Sequence, residues 1–158
     1  LRTFPDELEA LVVPLSDRML DSGVPGEWTT RQIVHHLADS HMSAVFRFKK
    51  PLTAANPATI PVYDQAAWAE LADYRLPIAP SLAILRGLHA RFVALLESLS
   101  EDQWKMTGVH PEWGVVTVAN VAQQAYFADV ATKVVLPMFK ATDSDPNALL
   151  LRPCAELP

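Results

Sequence analysis

Apolar residues recur every three to four positions over four stretches of this chain, which is the spacing of one face of an α-helix. The pattern predicts four long helices, over about 3–13, 30–50, 81–98 and 117–136. Pro14, Pro51 and Pro137 follow three of these stretches and are expected to end the helices, because proline disfavours helical backbone in the residue before it. No segment alternates convincingly as a strand does. The sequence therefore predicts an all-α fold, a bundle of four helices.

Capping residues mark where several helices begin. Thr29 and Gln32 have the spacing of a capping box, in which the hydroxyl accepts from an amide three residues on and the Gln side chain reaches back. Ser100 and Gln103 repeat this pattern before a short helix. Asp64 is expected to cap another short helix, inside the long connection between the second and third helices.

The chain has the length of one domain, 158 residues, and its composition of 50% apolar and 20% charged residues is ordinary for a globular protein. We expect a single domain over 1–158, with its core over about 3–137 and a Pro-rich C-terminal tail over 138–158. The stretches 51–61 and 72–80 are interpreted as a crossover between parallel neighbours, and 107–116 as a loop.

The charge and the cysteine content limit the partners and the covalent cross-links that we expect for this chain. The formal net charge is −5, and the densest basic group, Arg47, Lys49 and Lys50, is interpreted as a solvated helix end, so no nucleic-acid partner is expected. The single cysteine, Cys154, cannot form an internal disulfide. No apolar run of membrane-spanning length and no leader is recognised, so we expect a cytoplasmic protein that does not bind a membrane.

Three histidines fall within seven residues of the second helix, and one of them is the best candidate for chemistry. His36 shares a stripe at helical spacing with apolar and small residues, namely Ile33, Leu37, Ser40, Ala44 and Phe48. We expect His36 to point into the core, with His35 and His41 off that line. An inward histidine on a bundle helix is a candidate metal ligand; the alternative is a histidine that bonds to a neighbour or faces a water-filled pocket.

Asp39 has the spacing to pair with either of two histidines. With His35 it would form an exposed i,i+4 pair, and with His36 it would supply the carboxylate that usually holds the second nitrogen of a metal-bound imidazole.

The two remaining histidines lie elsewhere in the sequence. His89 lies within an apolar stripe and is interpreted as a hydrogen-bonded core residue. His110 and Glu112 are interpreted as a pair that fixes a loop. A rearranged metal site built from His36, His110 and Glu112 is the alternative that the sequence leaves open.

Several motifs together resemble the YfiT branch of the DinB-like superfamily. The resemblance begins with Trp28-Thr-x-Arg-Gln-Ile-Val-His-His-Leu-Ala-Asp-Ser-His41 and continues through matching stretches at 46–49, 63–71, 88–99 and 110–114. The resemblance implies an up-down-down-up four-helix bundle with a three-histidine metal site and a metal-dependent hydrolase activity. Relatives in this superfamily also transfer the thiols bacillithiol or mycothiol.

In the family, a His-x-x-His-His run in the last helix supplies two of the three metal ligands. In register, those two positions fall on Ala128 and Thr132 here, and His36 alone is kept. The resemblance thus implies a metal-dependent hydrolase or thiol S-transferase with a degenerate site for a divalent metal, zinc or nickel. The alternative is a non-catalytic, metal-free member that binds a small molecule or a protein partner. A homodimer is left open.

Overall fold

Two long helices, α3 (Thr30–Thr53) and α5 (Ala79–Ser98), pack against each other and form the body of the fold. The computed structural model describes residues 1–23, 26–54 and 58–122. The other helices in this part are α1 Phe4–Val12, α2 Asp17–Leu20, α4 Gln65–Ala69, a 3-10 helix Ala72–Arg75 and α6 Glu101–Lys105. The last described residues, 118–122, are helical. The predicted end of the fourth helix, Ala128, Thr132, Cys154 and the 138–158 tail lie outside the described residues.

The predicted helix starts are confirmed by their side-chain bonds. Thr29 Oγ1 accepts from the Gln32 amide at 3.2 Å, and Gln32 Oε1 accepts from the Thr29 amide at 2.9 Å. Ser100 and Gln103 make the same reciprocal pair before α6. Asp64 caps α4 by accepting from the Ala67 amide at 3.0 Å. Each cap satisfies amides that have no partner within their own helix.

The second helix continues past its predicted end. Instead of stopping at Lys50, α3 runs through Pro51 to Thr53. A proline in the last turn removes one helical hydrogen bond. Here the proline ring is buried, so its packing offsets the lost hydrogen bond. The boundary predicted from Pro51 was therefore wrong by about one turn.

A small sheet occupies the segment that was predicted to be a loop. Strands β2 (Thr107–His110) and β3 (Gly114–Thr117) pair antiparallel, and β1 (Ala58–Thr59) adds in parallel beside β2. The strands have two to four residues, too short for a period of two to appear in the sequence. Gly114 begins β3 with φ +69°, a left-handed conformation that glycine adopts without a steric cost. The expectation that 107–116 is a loop was wrong.

The buried apolar side chains form two clusters. One lies where α1 packs on α3 and α5, and it contains Phe4, Leu8, Val12, Leu20, Val34, Leu37, Ala38, Ile78, Leu82 and Leu85. The other joins the far end of α3 to the sheet, and it contains Phe48, Ile60, Phe92, Val116, Val118 and Val121. On α3, His41 lies between the residues that contribute to the two clusters, and His35 lies within the span of the first.

The buried face of α3 matches the predicted stripe only in part: Leu37 and Phe48 are buried as expected, but the histidines are placed differently. His35 and His41 are buried, at 6% and 5% exposure, whereas His36 is only half-buried. Each residue of a helix is rotated by about 100° from the next, so a shift of one residue exchanges the inward and outward positions. The pattern misled because polar residues also line the buried face, where hydrogen bonds stabilise them.

The helix α5 is as long and as apolar as a membrane-spanning helix. By length and mean hydropathy alone, 1.3 over its most apolar window, it meets the criterion for a membrane span. We expected no apolar stretch of membrane-spanning length, and by this criterion α5 is one. The core helix of a bundle passes the same test, and α5 packs against both α3 and α1.

Candidate functional site

His36 carries a buried polar atom that lacks a partner. Its Nδ1 is buried and makes no hydrogen bond with any residue that the structure describes. Trp28 packs its ring against the imidazole in an edge-to-face contact, with centroids 4.7 Å apart. Burial lowers the pKa of His36, and the charge of Asp39 partly opposes this shift. The net shift favours the neutral imidazole, the form in which histidine binds metals.

The neighbouring His35 uses both of its ring nitrogens. Nε2 lies 3.0 Å from the carbonyl oxygen of Leu76, and Nδ1 lies 2.8 Å from the hydroxyl of Ser81. Because a carbonyl only accepts, Nε2 carries a proton, and Nδ1 is occupied by the Ser81 hydroxyl. No lone pair is left for a metal. The predicted exposed pair of His35 with Asp39 was wrong, because His35 is buried against partners 41 and 46 residues away.

Asp39 is bound by a residue from the crossover instead. The hydroxyl of Tyr74 donates to Asp39 Oδ2 at 2.7 Å, and Tyr74 is 2% exposed. Burial and then this hydrogen bond raise the pKa of Tyr74, so the tyrosine stays protonated as a donor. Arg31 on the same helix also donates to Leu76, at 3.2 Å. We call Arg31, His35 and Asp39 the anchoring row, since they hold the 3-10 helix segment to α3.

His41 and His89 form a second buried pair. His41 Nδ1 lies 2.7 Å from His89 Nε2, and His89 Nδ1 lies 2.8 Å from the carbonyl oxygen of Leu1. Phe4 packs on both rings at about 5 Å, with centroid distances of 5.2 and 5.0 Å. Burial first, and then the nearby His89, lower the pKa of His41 to about 3. The interpretation of His89 as a hydrogen-bonded core residue is confirmed.

His110 and Glu112 hold the turn of the β2–β3 hairpin, as the sequence predicted. The Glu112 amide donates to His110 Nδ1 at 3.2 Å, so the bond uses the backbone of Glu112 rather than its carboxylate. Trp113 stacks on the His110 ring with centroids 3.7 Å apart. Burial lowers the pKa of His110, and the charge of Arg47 adds to this shift.

These residues do not converge on one point. Among the residues that the structure describes, no three His, Cys, Asp or Glu side chains are grouped so that they could hold a metal ion. His36, His110 and Glu112 are therefore not brought together. All five histidines of the chain lie in the described ranges, so no three of them form a centre. His36 can offer a metal ion one donor atom, and the described residues supply no complete set of ligands around it. The assignment of His36 as a ligand stays a prediction.

Sequence reasoning missed Tyr74 altogether. Nothing near it in the sequence marks it as special, because its partner Asp39 lies 35 residues earlier on another helix. Arg31 was missed for the same reason, although it is 7% exposed and pairs with Asp17 of α2 and with Asp21, which follows that helix. A buried arginine shows in a sequence only through its partners, and these come together only in the fold.

The described part of the chain is mostly helical, and its longest helix carries a half-buried histidine, His36, whose Nδ1 has no partner among the described residues. The sequence model of the DinB superfamily matches residues 1–127. The chain belongs to the DinB superfamily. The match ends just before Ala128 and Thr132, the two positions assigned above from the family's last helix.

Individual relatives agree with this assignment. A protein of Oceanobacillus iheyensis named "putative metal-dependent hydrolase" is 43% identical over 121 residues, which cover 76% of this chain and 70% of that protein. A Bacillus cereus protein of the same name is 43% identical over 120 residues, 75% of this chain and 69% of its own. The solved structure of YfiT from Bacillus subtilis is 39% identical, with a TM-score of 0.74 over 81% of this chain and 75% of YfiT. YfiT is described as a probable metal-dependent hydrolase with an unusual four-helix bundle topology.

Proposed function

We propose that this chain is a metal-dependent hydrolase or thiol S-transferase of the DinB superfamily whose metal site is reduced to one histidine, His36. The names of its relatives support the hydrolase part at the level of the family. The thiol-transfer alternative follows from the resemblance of the motifs alone. The metal is expected to be zinc or nickel, and the substrate a small molecule.

The observation that carries this proposal is the unpaired Nδ1 of His36. Buried polar atoms in proteins nearly always have a partner, and one that lacks a partner calls for an explanation such as an ion or a catalytic role. Among the described histidines, His35 and His89 have bonds at both ring nitrogens, so they are structural by comparison. His41 and His110 each leave Nε2 without a partner among the described residues, but both rings are buried, whereas His36 is half-buried and can be reached by a ligand. A metal bound at His36 would supply a Lewis acid that activates water or a thiol.

The chain's own contribution is to keep this imidazole neutral and oriented. Burial lowers the pKa of His36, which favours the neutral ring, and a neutral imidazole has one nitrogen whose lone pair can bind a cation. The edge-to-face contact of Trp28 limits the rotation of the ring. Both effects favour a donor atom that is ready to bind a cation.

Metal content tests the proposal directly. The purified full chain is stripped of metal and dialysed against zinc chloride or nickel chloride, and bound metal is measured per chain. Because one histidine holds a transition metal only weakly, we expect the wild type to bind metal with low affinity and His36→Ala to lose that binding, whereas His110→Gln, which changes another buried imidazole, binds like the wild type. A wild-type chain that binds neither metal, with an unchanged melting temperature, would remove the metal-dependent function.

A second experiment tests the register of the family resemblance. Restoring the two missing ligands with Ala128→His and Thr132→His should create much tighter zinc binding, because structural and catalytic zinc sites use three or four protein ligands. If the double variant gains no affinity, the two positions do not face His36 in this chain.

A second candidate function is a metal-free role in binding a small molecule or a protein partner. The observation that favours it is that no three of the five histidines lie together, whereas the family resemblance implies a three-histidine site. One histidine cannot hold a transition metal tightly. The metal measurement separates the two candidates, since only the first expects binding that depends on His36.

A further inference from the structure

We propose that Arg47 binds an oxyanion, the carboxylate or phosphate group of a small molecule, where α3 meets the small sheet. The ligand class follows from the guanidinium, whose planar fork of N–H groups matches two oxygens of such a group. The site is separate from His36, which lies 11 residues earlier on the same helix, about 16 Å along its axis. It needs no metal ion, so it does not depend on the proposed function of His36.

The fold holds the guanidinium of Arg47 from two sides. Arg47 was expected at a solvated helix end, but it is half-buried. Its Nε donates to the carbonyl oxygen of Pro61 at 3.0 Å, and its Cζ lies 5.8 Å from the centre of the Tyr63 ring. The amide of Ile60, the residue before Pro61, donates to the carbonyl oxygen of Val109 in β2 at 2.9 Å. The guanidinium is therefore fixed to the sheet before any ligand binds, which lowers the entropy cost of binding.

Most of the donors of Arg47 are unused. A guanidinium carries five N–H groups, and only the one at Nε has an acceptor among the residues that the structure describes. The other four are on Nη1 and Nη2, and these two nitrogens can bind two oxygens of a carboxylate or phosphate side by side. Arg47 thus offers a fixed pair of donor nitrogens to an anionic ligand.

Arg31, on the same helix, shows an arginine whose charge is already compensated. It also donates to a carbonyl oxygen of the crossover, that of Leu76, at 3.2 Å. Its Nε and Nη2 donate to the carboxylates of Asp17 and Asp21 at 2.6 to 3.2 Å. Arg47 has the same kind of backbone anchor but forms no ion pair with any described carboxylate. An added anion can therefore bind Arg47 without displacing one.

Burial separates Arg47 from the other described arginines that form no ion pair. Arg47 is half-buried, whereas the side chains of the other three are exposed, namely Arg18, Arg75 and Arg91. Removing part of a charged group from water costs free energy unless a counter-charge compensates it. An oxyanion on Arg47 would supply that counter-charge.

The charge of Arg47 acts on two neighbouring rings. Burial lowers the pKa of His110, and Arg47 lowers it further; burial and Asp39 raise the pKa of Tyr63, and Arg47 opposes that rise. Two carboxylates, Asp39 and Glu112, act on the same rings, but neither forms an ion pair with Arg47 among the described contacts. The positive charge is therefore available to a ligand, and beside a protein surface it attracts an anion more strongly than it would in bulk water.

The site is tested by NMR of the full chain with nitrogen-labelled arginine, in the absence of added metal. The Nε–H signal of Arg47 is followed at pH 7 while sodium phosphate or sodium acetate is added, with sodium chloride at equal ionic strength as the control. We expect phosphate or acetate to shift this signal along a saturable curve and chloride to leave it in place. Saturation at a lower concentration of phosphate than of acetate identifies a phosphate ester as the ligand class, and the reverse order identifies a carboxylate.

The pKa of His110 reports on the same site from a second position. Because burial and then the charge of Arg47 lower this pKa, a bound oxyanion should raise it. Sodium sulfate, which stays charged through an acid titration, is the probe, and the ring signals of His110 give the pKa. Arg47→Gln should raise this pKa without any anion and weaken the response to sulfate by about tenfold or more. Arg91→Gln removes an exposed positive charge from α5 and should behave like the wild type.

Three results would overturn this inference. If neither phosphate nor acetate shifts the Arg47 signal beyond the effect of chloride, Arg47 only ties α3 to Pro61. If Arg91→Gln weakens the response to sulfate as much as Arg47→Gln does, the response reflects the overall charge and no site exists at Arg47. If sulfate raises the pKa of His110 equally in the wild type and in Arg47→Gln, the anion binds elsewhere. The wild-type titration decides the question even where Arg47→Gln does not fold.

Discussion

His35 and His36 are adjacent on α3, and they show how the same residue type takes opposite roles. His35 is buried, and both of its ring nitrogens bond to partners from the crossover and α5. His36 is half-buried, contacts the edge of Trp28, and leaves Nδ1 without a partner among the described residues. One step along the helix therefore separates a histidine that holds the fold from one that is available to a ligand.

This contrast teaches that burial alone does not identify a functional histidine. The more buried of the two is the structural one, because its hydrogen bonds offset the cost of removing a polar ring from water. The less buried one is the better candidate, since it bears that cost without a bond. His41 falls between them, with one nitrogen bonded and Nε2 buried without a partner among the described residues.

The largest effect that tests the contrast is on stability. His35→Ala should lower the free energy of unfolding by about 3 kcal/mol, because it leaves a cavity and strands the buried Ser81 hydroxyl. His36→Ala should change it by less than about 1 kcal/mol, since the loss of the Trp28 contact is offset by removal of an unpaired atom. Urea unfolding of both variants measures this. Equal losses for the two variants would contradict the division of roles.

The next effect is a pH dependence of the free energy of unfolding, which the titration of His41 causes. Its pKa is about 3 in the fold and about 6.5 in the unfolded chain, so the unfolded state binds the additional proton between these values. Stability must then fall as the pH drops from 6.5 towards 3, by up to about 1.4 kcal/mol per pH unit for this proton. His41→Gln keeps a donor for His89 and does not titrate.

Urea unfolding of wild type and His41→Gln from pH 7 to pH 4 isolates this contribution, because the carboxylates are common to both proteins. Between pH 6 and pH 4.5 the wild type should lose about 2 kcal/mol more of its free energy of unfolding than His41→Gln does. Parallel curves would mean that His41 is not held neutral by its surroundings.

The smallest effect concerns the ring that packs on His36. Trp28→Leu should cost about 1 kcal/mol of stability through the lost aromatic contact. It should also weaken zinc binding, because the imidazole gains freedom to rotate. Calorimetry with zinc chloride measures the second effect. Unchanged zinc affinity in Trp28→Leu would show that Trp28 does not orient the ligand.

Much of the helical framework could be predicted from sequence, because its signals are local. The capping boxes at Thr29 and Ser100 act within four residues, and the structure confirms both. The hairpin at 107–117 escaped prediction because its strands are too short to show their period. The end of α3 was predicted wrongly because Pro51 is buried inside the last turn, and its packing partners cannot be read from the sequence.

The candidate site was predicted less well, for a physical reason. His36 stays a predicted ligand, and it was chosen from a stripe of which the structure buries Leu37 and Phe48 but leaves His36 half-buried. The roles of His35 and Asp39 depend on Leu76, Ser81 and Tyr74, which lie 35 to 46 residues away along the chain. Hydrogen-bond partners at that distance are set by the packing of the helices, and no local pattern encodes them.

The most direct test of the central claim follows the imidazole rings themselves during a zinc titration. Nitrogen NMR of the metal-free full chain resolves the ring signals of all five histidines, and His36→Ala assigns the one in question. The account predicts that zinc shifts the ring nitrogens of His36 and leaves those of His35 in place. Zinc that shifts His35, or that shifts no imidazole at all, would contradict it.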